Sequence, residues 1–223
     1  MKQRTKKRCF MIIALSLAAL FLVNNASLVY AYEDQLVVPE FKVVATIEND
    51  KGESYDLQAN LNIEEIQNDV LARANSNINQ QFKATVAVDI PYNSVLQSLI
   101  GDEDYDSSIT AYVQIYFYLK NYPNSEIGIL VTKVGCSYTM AGDGSVLNRI
   151  QINYACNGAG AGFDGLPVTD QTGSATRYSA FQLSTGFDQY VSRDDPAAIV
   201  HATAKYYLED MHNSWVTTVK IEP

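Results

Sequence analysis

Three tyrosines in one predicted strand are the residues of this sequence whose types and spacing best suit ligand binding. Apolar residues occupy every second position of the segment 109–119, and Tyr112, Tyr116 and Tyr118 lie at positions between them. Alternation of this kind predicts a β-strand whose apolar side chains face away from the tyrosines. Tyrosine rings on a sheet surface can stack on sugars or fill pockets on a protein partner. The alternative is that a second layer of the protein covers them.

A cluster of carboxylates suggests a different chemistry, the binding of calcium. Asp102, Asp104 and Asp106 alternate along a short segment. Because Ca²⁺ takes several oxygen ligands, these carboxylates could converge on one structural ion. The positions where an EF-hand loop requires glycine and glutamate hold Ser107 and Val113, so the EF-hand pattern fails. A looser calcium site and a solvated acidic loop both stay open. No other cofactor is indicated.

Two cysteines, Cys136 and Cys156, follow the N-terminal segment. An even number of cysteines in an exported protein favours a disulfide, which here would close a loop of about 20 residues. The predicted turn between their strands leaves them out of register as direct cross-strand partners. The bridge would therefore need a longer loop, a bulge or a crossing between sheets. A metal site has less support, because there is no C-x-x-C pair and the two histidines are His201 and His212.

Catalytic motifs find little support. No Gly-x-Ser-x-Gly motif is present, and both histidines fall in or near predicted C-terminal strands. The glycine-rich run 158–165 resembles a phosphate-binding loop only superficially, because Leu166-Pro167 follows it in place of a helix. The carboxylate pair of a glycoside hydrolase is defined by a distance that the sequence does not contain. The sequence therefore names no catalytic residue and favours a binding protein over an enzyme.

The first 31 residues have the three parts of a secretory signal peptide. Basic residues are concentrated in the first eight positions, an apolar run extends from Phe10 to Val23, and Val29-Tyr30-Ala31 offers a cleavage site. The apolar run is shorter than the roughly 20 residues that a membrane span requires. We predict cleavage after Ala31 and secretion to the cell exterior, with retention as an uncleaved anchor as the alternative.

The remaining chain, residues 32–223, is predicted to be a single acidic domain. The whole sequence has a net charge of −9, and residues 1–31 contribute five basic residues and no acid, so the remainder carries −9 − 5 = −14. Such a net charge repels nucleic acids and anionic lipids, which argues against both as partners. No second long apolar run follows, so no membrane span is predicted after signal cleavage.

Period-two alternation recurs throughout this domain and predicts a mainly β fold. Two runs, 37–47 and 55–61, flank turn-forming residues and predict a hairpin. The other predicted strands are 82–90, 109–119, 127–138, 150–156, 178–183, 201–208 and 215–221. About nine strands without β-helix-β alternation favour an antiparallel β-sandwich, Ig-like in the broad sense, over a β-barrel.

One segment departs from this alternation. Ile63, Ile66, Val70 and Ala74 recur at helical spacing, which predicts one short helix near residues 63–74. With the hairpin, this helix could form an appendage, residues 32–79, to a core sandwich spanning 80–223.

The general layout is a signal peptide, a strand-rich domain and a final strand that contains Trp215. It resembles the small, uncharacterised exported β-sandwich proteins of Gram-positive bacteria, and the resemblance implies architecture and export but no site residue. These features favour a non-catalytic extracellular module that binds a protein or a glycan at the cell surface. An exported hydrolase of cell-wall polymers and a secreted bacteriocin-like effector are the alternatives.

Overall fold

A computed structural model describes residues 38–66, 80–90, 108–122, 125–141, 146–162, 165–209 and 214–223. All regular secondary structure within these ranges is β. The strands are β1 (Lys42–Asn49), β2 (Ser54–Asp56), β3 (Ala59–Ile66), β4 (Gln80–Ile90), β5 (Ser108–Asn121), β6 (Ile127–Ala141), β7 (Val146–Ala159), β8 (Pro167–Val168), β9 (Thr172–Arg177), β10 (Phe181–Ser184), β11 (Val191–Ser192), β12 (Ile199–Glu209) and β13 (Ser214–Glu222). Among these residues there is no helix of the length and hydropathy needed to cross a membrane.

The strands form two antiparallel sheets that pack face to face. The first sheet has the order β2-β1-β13-β12-β7-β8, with β9 also paired to β7. The second sheet has the order β10-β6-β5-β4-β3, with β11 also paired to β6. The β-sandwich predicted from the alternating pattern is confirmed. It is Ig-like in the broad sense of two packed antiparallel sheets.

The core lies between the sheets and consists of the side chains that alternate toward the opposite sheet. Along β5 every inward side chain from Ile109 to Leu119 is at most 1% exposed. Burying one such Ile or Leu contributes about 2 kcal/mol from the transfer of its apolar surface out of water. At one end of the core the Phe117 ring stacks on Phe82 and packs against Phe41, with centroid distances of 5.5 and 5.4 Å.

A β-bulge explains why residues 127–138 alternate less cleanly than the other strands. The pairing of β6 with β5 shifts between Tyr116 and Phe117, so that Thr132 is an extra residue on β6. Before the bulge Ile129 and Val131 face the core, and after it Val134 and Cys136 do. One inserted residue therefore changes which sequence positions are buried, as a bulge does.

The predicted hairpin is confirmed at its turn, since β1 and β2 pair with Ile47 opposite Tyr55. The side-chain oxygen of Asn49 accepts hydrogen bonds from the backbone N–H groups of Lys51 and Glu53, at 3.0 and 2.9 Å. Such an Asx arrangement stabilises the tight turn, and Gly52 supplies the left-handed backbone conformation within it, with a φ of +80°. After Leu57 the chain leaves the first sheet and enters the second as β3.

The predicted helix near residues 63–74 is wrong over its first turn. Residues 63–66 belong to β3 and pair with β4, with Ile63 opposite Ala84. Strand pairing supplies a partner for each apolar side chain and ladder hydrogen bonds for the backbone, and this outweighs a helical spacing of only a few residues. Residues 67–74 lie outside the described ranges.

One edge of the sandwich is closed by backbone pairing between the two sheets. Gly160, just after β7 of the first sheet, forms an antiparallel bridge with Val191 of β11 in the second. The next residue, Ala161, donates its N–H to the carbonyl oxygen of Tyr190 at 2.9 Å. This closure places the glycine-rich segment against the second sheet, near the end of β5.

Candidate functional site

The structure places Tyr112, Tyr116 and Tyr118 together on the outer face of β5, where all three side chains are half-buried. Strand β5 is bordered by β4 and β6, and it contacts β12 and β13 only through the opposite, inward face. Among the strands that the structure describes, none packs over the outer face of the second sheet. We call this outer face, centred on the three tyrosines, the tyrosine face.

Hydrogen-bonding side chains surround the three rings on the tyrosine face. The strand register aligns Asn62, Thr85 and Gln114 across β3, β4 and β5, in the row between Tyr112 and Tyr116. Next along β5 is the row that contains Tyr116, flanked by Lys83 on β4 and Lys133 on β6. Other polar residues on this face are Asn60, Gln81, Ser137, Gln182 and Ser184. Rings interleaved with amides and hydroxyls offer both stacking and hydrogen bonds to a polar ligand.

The position of the Tyr116 ring is set by its neighbours on β4 and β5. Its hydroxyl donates a long hydrogen bond of 3.4 Å to Oε1 of Gln114, two residues back along the same strand. The ammonium of Lys83 lies 6.0 Å from the ring centroid and 2.7 Å from a carboxylate oxygen of Glu64. The hydrogen bond to Glu64 raises the pKa of Lys83, against a smaller lowering by burial. The ring therefore leans along the strand, and of the two lysines that flank it, Lys83 is already neutralised by an ion pair.

Three further side chains extend the tyrosine face at the end of β5. The ammonium of Lys120 lies 4.8 Å from the ring centroid of Tyr122 and 5.5 Å from that of Tyr190. The two rings meet edge to face, with centroids 6.4 Å apart and an angle of 75°. Cation–π attraction holds the ammonium near both rings. We call Lys120, Tyr122 and Tyr190 the lysine corner.

Two glycines make room for Tyr122 in the lysine corner. A Cβ on Gly128 would lie 2.8 Å from the Tyr122 ring, and one on Gly162 would lie 2.9 Å from it. Gly162 also has a φ of +104°, which residues with a side chain rarely adopt. Its N–H donates to the carboxylate of Glu126 at 3.0 Å. The glycine-rich run is thus a close-packed support for an aromatic ring.

Burial further disfavours ionisation of the two phenols of the lysine corner. It raises the pKa of Tyr190 to about 12, with smaller contributions from Tyr122 and Tyr118. The pKa of Tyr122 is also raised, first by burial and then by the negative charge of Glu126. Both rings therefore stay uncharged at physiological pH, and they offer hydroxyls and a π surface beside a fixed positive charge.

No known protein family, curated protein or solved structure matches this chain.

The sequence predicts the tyrosines of this site that lie on β5, but it does not predict Tyr190. The three tyrosines of β5 were predicted as binding residues, and Lys120 continues their two-residue period, so the same pattern could have included it. Tyr190 comes from the loop before β11, about 70 residues away in the chain. It reaches the site through tertiary contacts that no local pattern records.

A groove of about 340 Å³ lies at one end of the sandwich and is lined by Lys42, Ser192, Arg193, Asp195 and Glu222 among others. Glycoside hydrolysis needs one carboxylic acid with a raised pKa, and the pKa of Asp195 is instead lowered. Asp195 accepts backbone hydrogen bonds from Ala159 at 2.7 Å and Ala197 at 2.9 Å, and these bonds lower its pKa. Glu222 is ion-paired with Lys220. Asp195 holds the end of β7 through Ala159, and the chain turns around Pro196.

His201 lies half-buried on β12, where Nδ1 is 3.3 Å from the hydroxyl of Thr203. Its pKa is lowered, first by burial and then by the positive charge of Lys220, with Glu222 acting in the opposite direction. Among the described residues, no hydrogen bond joins the His201 ring to a serine or to a carboxylate. His212 lies outside those residues.

The predicted calcium ligands Asp102, Asp104 and Asp106 also lie outside the described ranges, so the calcium site stays a prediction. Within the ranges that the structure covers, His, Cys, Asp and Glu side chains form no group of three or more that could hold a metal ion.

The predicted disulfide is not formed, since Cys136 and Cys156 are both free and buried. The Cys156 thiol on β7 donates to the carbonyl oxygen of Ile129, at 3.6 Å, near the start of β6. Cys136 is further along β6 and contacts Tyr206. Seven residues of extended chain separate Ile129 from Cys136, a span of about 20 Å, whereas bridged Cα atoms lie about 6 Å apart.

Proposed function

We propose that this protein is a secreted, non-catalytic module that binds a glycan at the cell surface through its tyrosine face. The observation that carries the proposal is the row formed by Tyr112, Tyr116 and Tyr118 along the outer face of β5. The rings share one face of a strand, and amides and hydroxyls lie in the neighbouring rows. The predicted signal peptide supports an extracellular site of action.

A glycan suits the composition of this face better than a protein partner does. The core of a protein interface is usually depleted of charged groups and packs apolar side chains densely. Here lysines flank the central ring, while Asn62, Thr85 and Gln114 fill the row beside it. Sugars present apolar C–H patches for stacking and hydroxyls for hydrogen bonds, which this mixture of side chains can satisfy together.

The position of β5 favours binding because its backbone is already ordered before a ligand binds. The strand pairs along its length with β4 on one side and β6 on the other. Side chains carried on a strand of this kind already have a fixed backbone, so a ligand loses less of its interaction energy to ordering the protein. The β6 bulge contributes by keeping Lys133 opposite Tyr116 and Leu130 opposite Tyr118.

The test is a glycan array, followed by titration of the glycans that bind, with residues 32–223 and the triple variant Tyr112→Ala, Tyr116→Ala, Tyr118→Ala. If each ring contributes about 1 kcal/mol, the triple variant should bind more weakly by a factor of about 150. Tyr207→Ala is the matched control, because Tyr207 is a half-buried tyrosine on the outer face of the other sheet. The control should bind as the native protein does.

Two results would contradict the proposal. One is full retention of glycan affinity by a folded triple variant, which would place binding elsewhere on the molecule. The other is a blank glycan array together with a protein ligand whose binding the triple variant abolishes. That result would assign the tyrosine face to protein recognition.

A further inference from the structure

We infer that the glycan is an acidic polysaccharide whose anionic groups bind at the lysine corner and beside Lys133. This inference rests on the proposed function, because it assigns a ligand class to the same tyrosine face. It is carried by the distribution of charge on that face and by the way in which Lys120 is held.

The lysines of the tyrosine face differ in whether the protein already neutralises them. Lys83 is bonded to Glu64 at 2.7 Å. The other ion pairs among the described residues involve Arg193 with Asp194 and Lys220 with Glu222. Within that part of the chain Lys120 and Lys133 therefore have no carboxylate at ion-pair distance. They lie on either side of Tyr118, with Lys120 two residues further along β5 and Lys133 opposite Tyr116 on β6.

The geometry of the lysine corner favours an anion as the missing partner. A free lysine side chain loses about 2 kcal/mol of rotamer entropy when it is fixed. The rings of Tyr122 and Tyr190 already restrict the ammonium of Lys120, at 4.8 and 5.5 Å. Contact with π surfaces leaves ammonium hydrogens available for hydrogen bonds, and a carboxylate or sulfate is the strongest acceptor for them. The neutral phenols beside it can donate to the same group.

Lys120 and Lys133 make this part of the surface locally basic, although the chain as a whole is acidic. The net charge of −9 opposes the approach of anions over long distances. At physiological ionic strength, charges further away than about 8 Å are largely screened, so the lysines nearest the ligand dominate. The same net charge disfavours polyanions that would need to cover the whole surface, such as nucleic acids, and leaves chains that lie along a single strand.

The experiment measures dissociation constants for two matched pairs of oligosaccharides. One pair is a galacturonic acid hexamer and its carboxyl-reduced form, and the other is a sulfated and an unsulfated dextran hexamer. We expect at least one charged member to bind ten times or more tightly than its neutral counterpart. Lys120→Gln should remove most of that preference, measured as the ratio of the two affinities, while Lys120→Arg should retain it.

Lys205→Gln is the control, because Lys205 is a half-buried lysine on the outer face of the first sheet. It should leave both affinities unchanged. If neutral and charged members bind equally and the tyrosine triple variant abolishes both, the acidic ligand class is wrong while the glycan-binding function stands. Equal losses from Lys120→Gln and Lys205→Gln would also overturn the inference, since the effect would then reflect net charge alone.

Discussion

The side-chain amide of Gln171 connects separate parts of the chain, and one substitution can test how it does so. Gln171 is 6% exposed. Its Nε2 donates to the carbonyl oxygens of Cys156 and Gln189, at 2.7 and 2.9 Å. Its Oε1 accepts from the N–H groups of Asp188 and Gln189, at 3.0 and 2.9 Å. Both amide hydrogens and both lone pairs are used, and the loop they hold continues into Tyr190 of the lysine corner.

We predict that Gln171→Glu lowers the free energy of unfolding by about 3 kcal/mol at pH 7. The ionised carboxylate keeps the two accepted hydrogen bonds but places an oxygen where the NH₂ group faces two carbonyl oxygens. Two donated bonds are lost, each with a net contribution of about 1 kcal/mol. The repulsion between the facing oxygens and the unsatisfied carbonyls add about 1 kcal/mol more.

The hydrogen bonds at position 171 also predict the sign of the pH dependence of the free energy of unfolding of Gln171→Glu. A protonated carboxyl can donate to one of the two carbonyls, and burial favours the neutral form, so the pKa of the introduced carboxyl should rise above its ordinary value of about 4.3. The folded protein then holds a proton that the unfolded chain releases. Relative to the native sequence, the stability of the variant is therefore greatest below pH 4. It falls as the pH rises toward the raised pKa, by up to about 1.4 kcal/mol per pH unit.

The assay is urea unfolding between pH 4 and pH 8, followed by the fluorescence of Trp215, the single tryptophan. Native protein is measured alongside, so that the titration of its other groups cancels. Gln171→Met is the matched control, because it loses all four bonds at any pH and should be destabilised by about 4 kcal/mol throughout. A Gln171→Glu deficit that stays constant with pH, or one below about 1 kcal/mol, would refute the hydrogen-bond assignment of the amide.

Two further predictions concern the core. Thr217 is fully buried on β13, and among the side chains that the structure describes its hydroxyl is the one buried group without a hydrogen-bond partner. Thr217→Val should therefore stabilise the domain by about 1 kcal/mol in the same urea assay, and a loss of stability would reveal a missed partner. Burial raises the pKa of Cys136 to about 12 and that of Cys156 to about 11, so both thiols of the folded protein should resist iodoacetamide at pH 8 and react once it is unfolded. A mass lower by two hydrogens in the purified protein would instead indicate the disulfide.

The strands differ in how well the period-two alternation of hydropathy predicts them. The segments 82–90, 109–119 and 215–221 alternate without interruption, and each is a strand with one buried face. Residues 127–138 form a predicted strand that alternates less cleanly, and the bulge at Thr132 is the physical reason. Strand β9, Thr172–Arg177, was missed because its small polar residues at the sheet edge give almost no alternation of hydropathy.

The candidate site likewise combines residues that a local pattern predicts with residues that only the pairing of distant strands brings together. The three tyrosines share a face because of where they occur in one strand, which is a local property of the chain. Lys133 joins them only because the bulge shifts the register of β6, and Tyr190 joins Lys120 only because β11 pairs with β6. The separation of the cysteines has the same origin, since it depends on which part of β6 faces Cys156 on β7.

By itself, then, the sequence determined the alternation of buried and exposed side chains, and through it the two packed sheets and the row of tyrosines on β5. A strand repeats every two residues, so a short stretch of sequence is enough to assign its faces. The tertiary structure decided which strands are neighbours, where a bulge changes the register and which distant residues meet. Those outcomes depend on the pairing of strands far apart in the chain and on the fit of side chains in the core, and neither leaves a signal in any single segment.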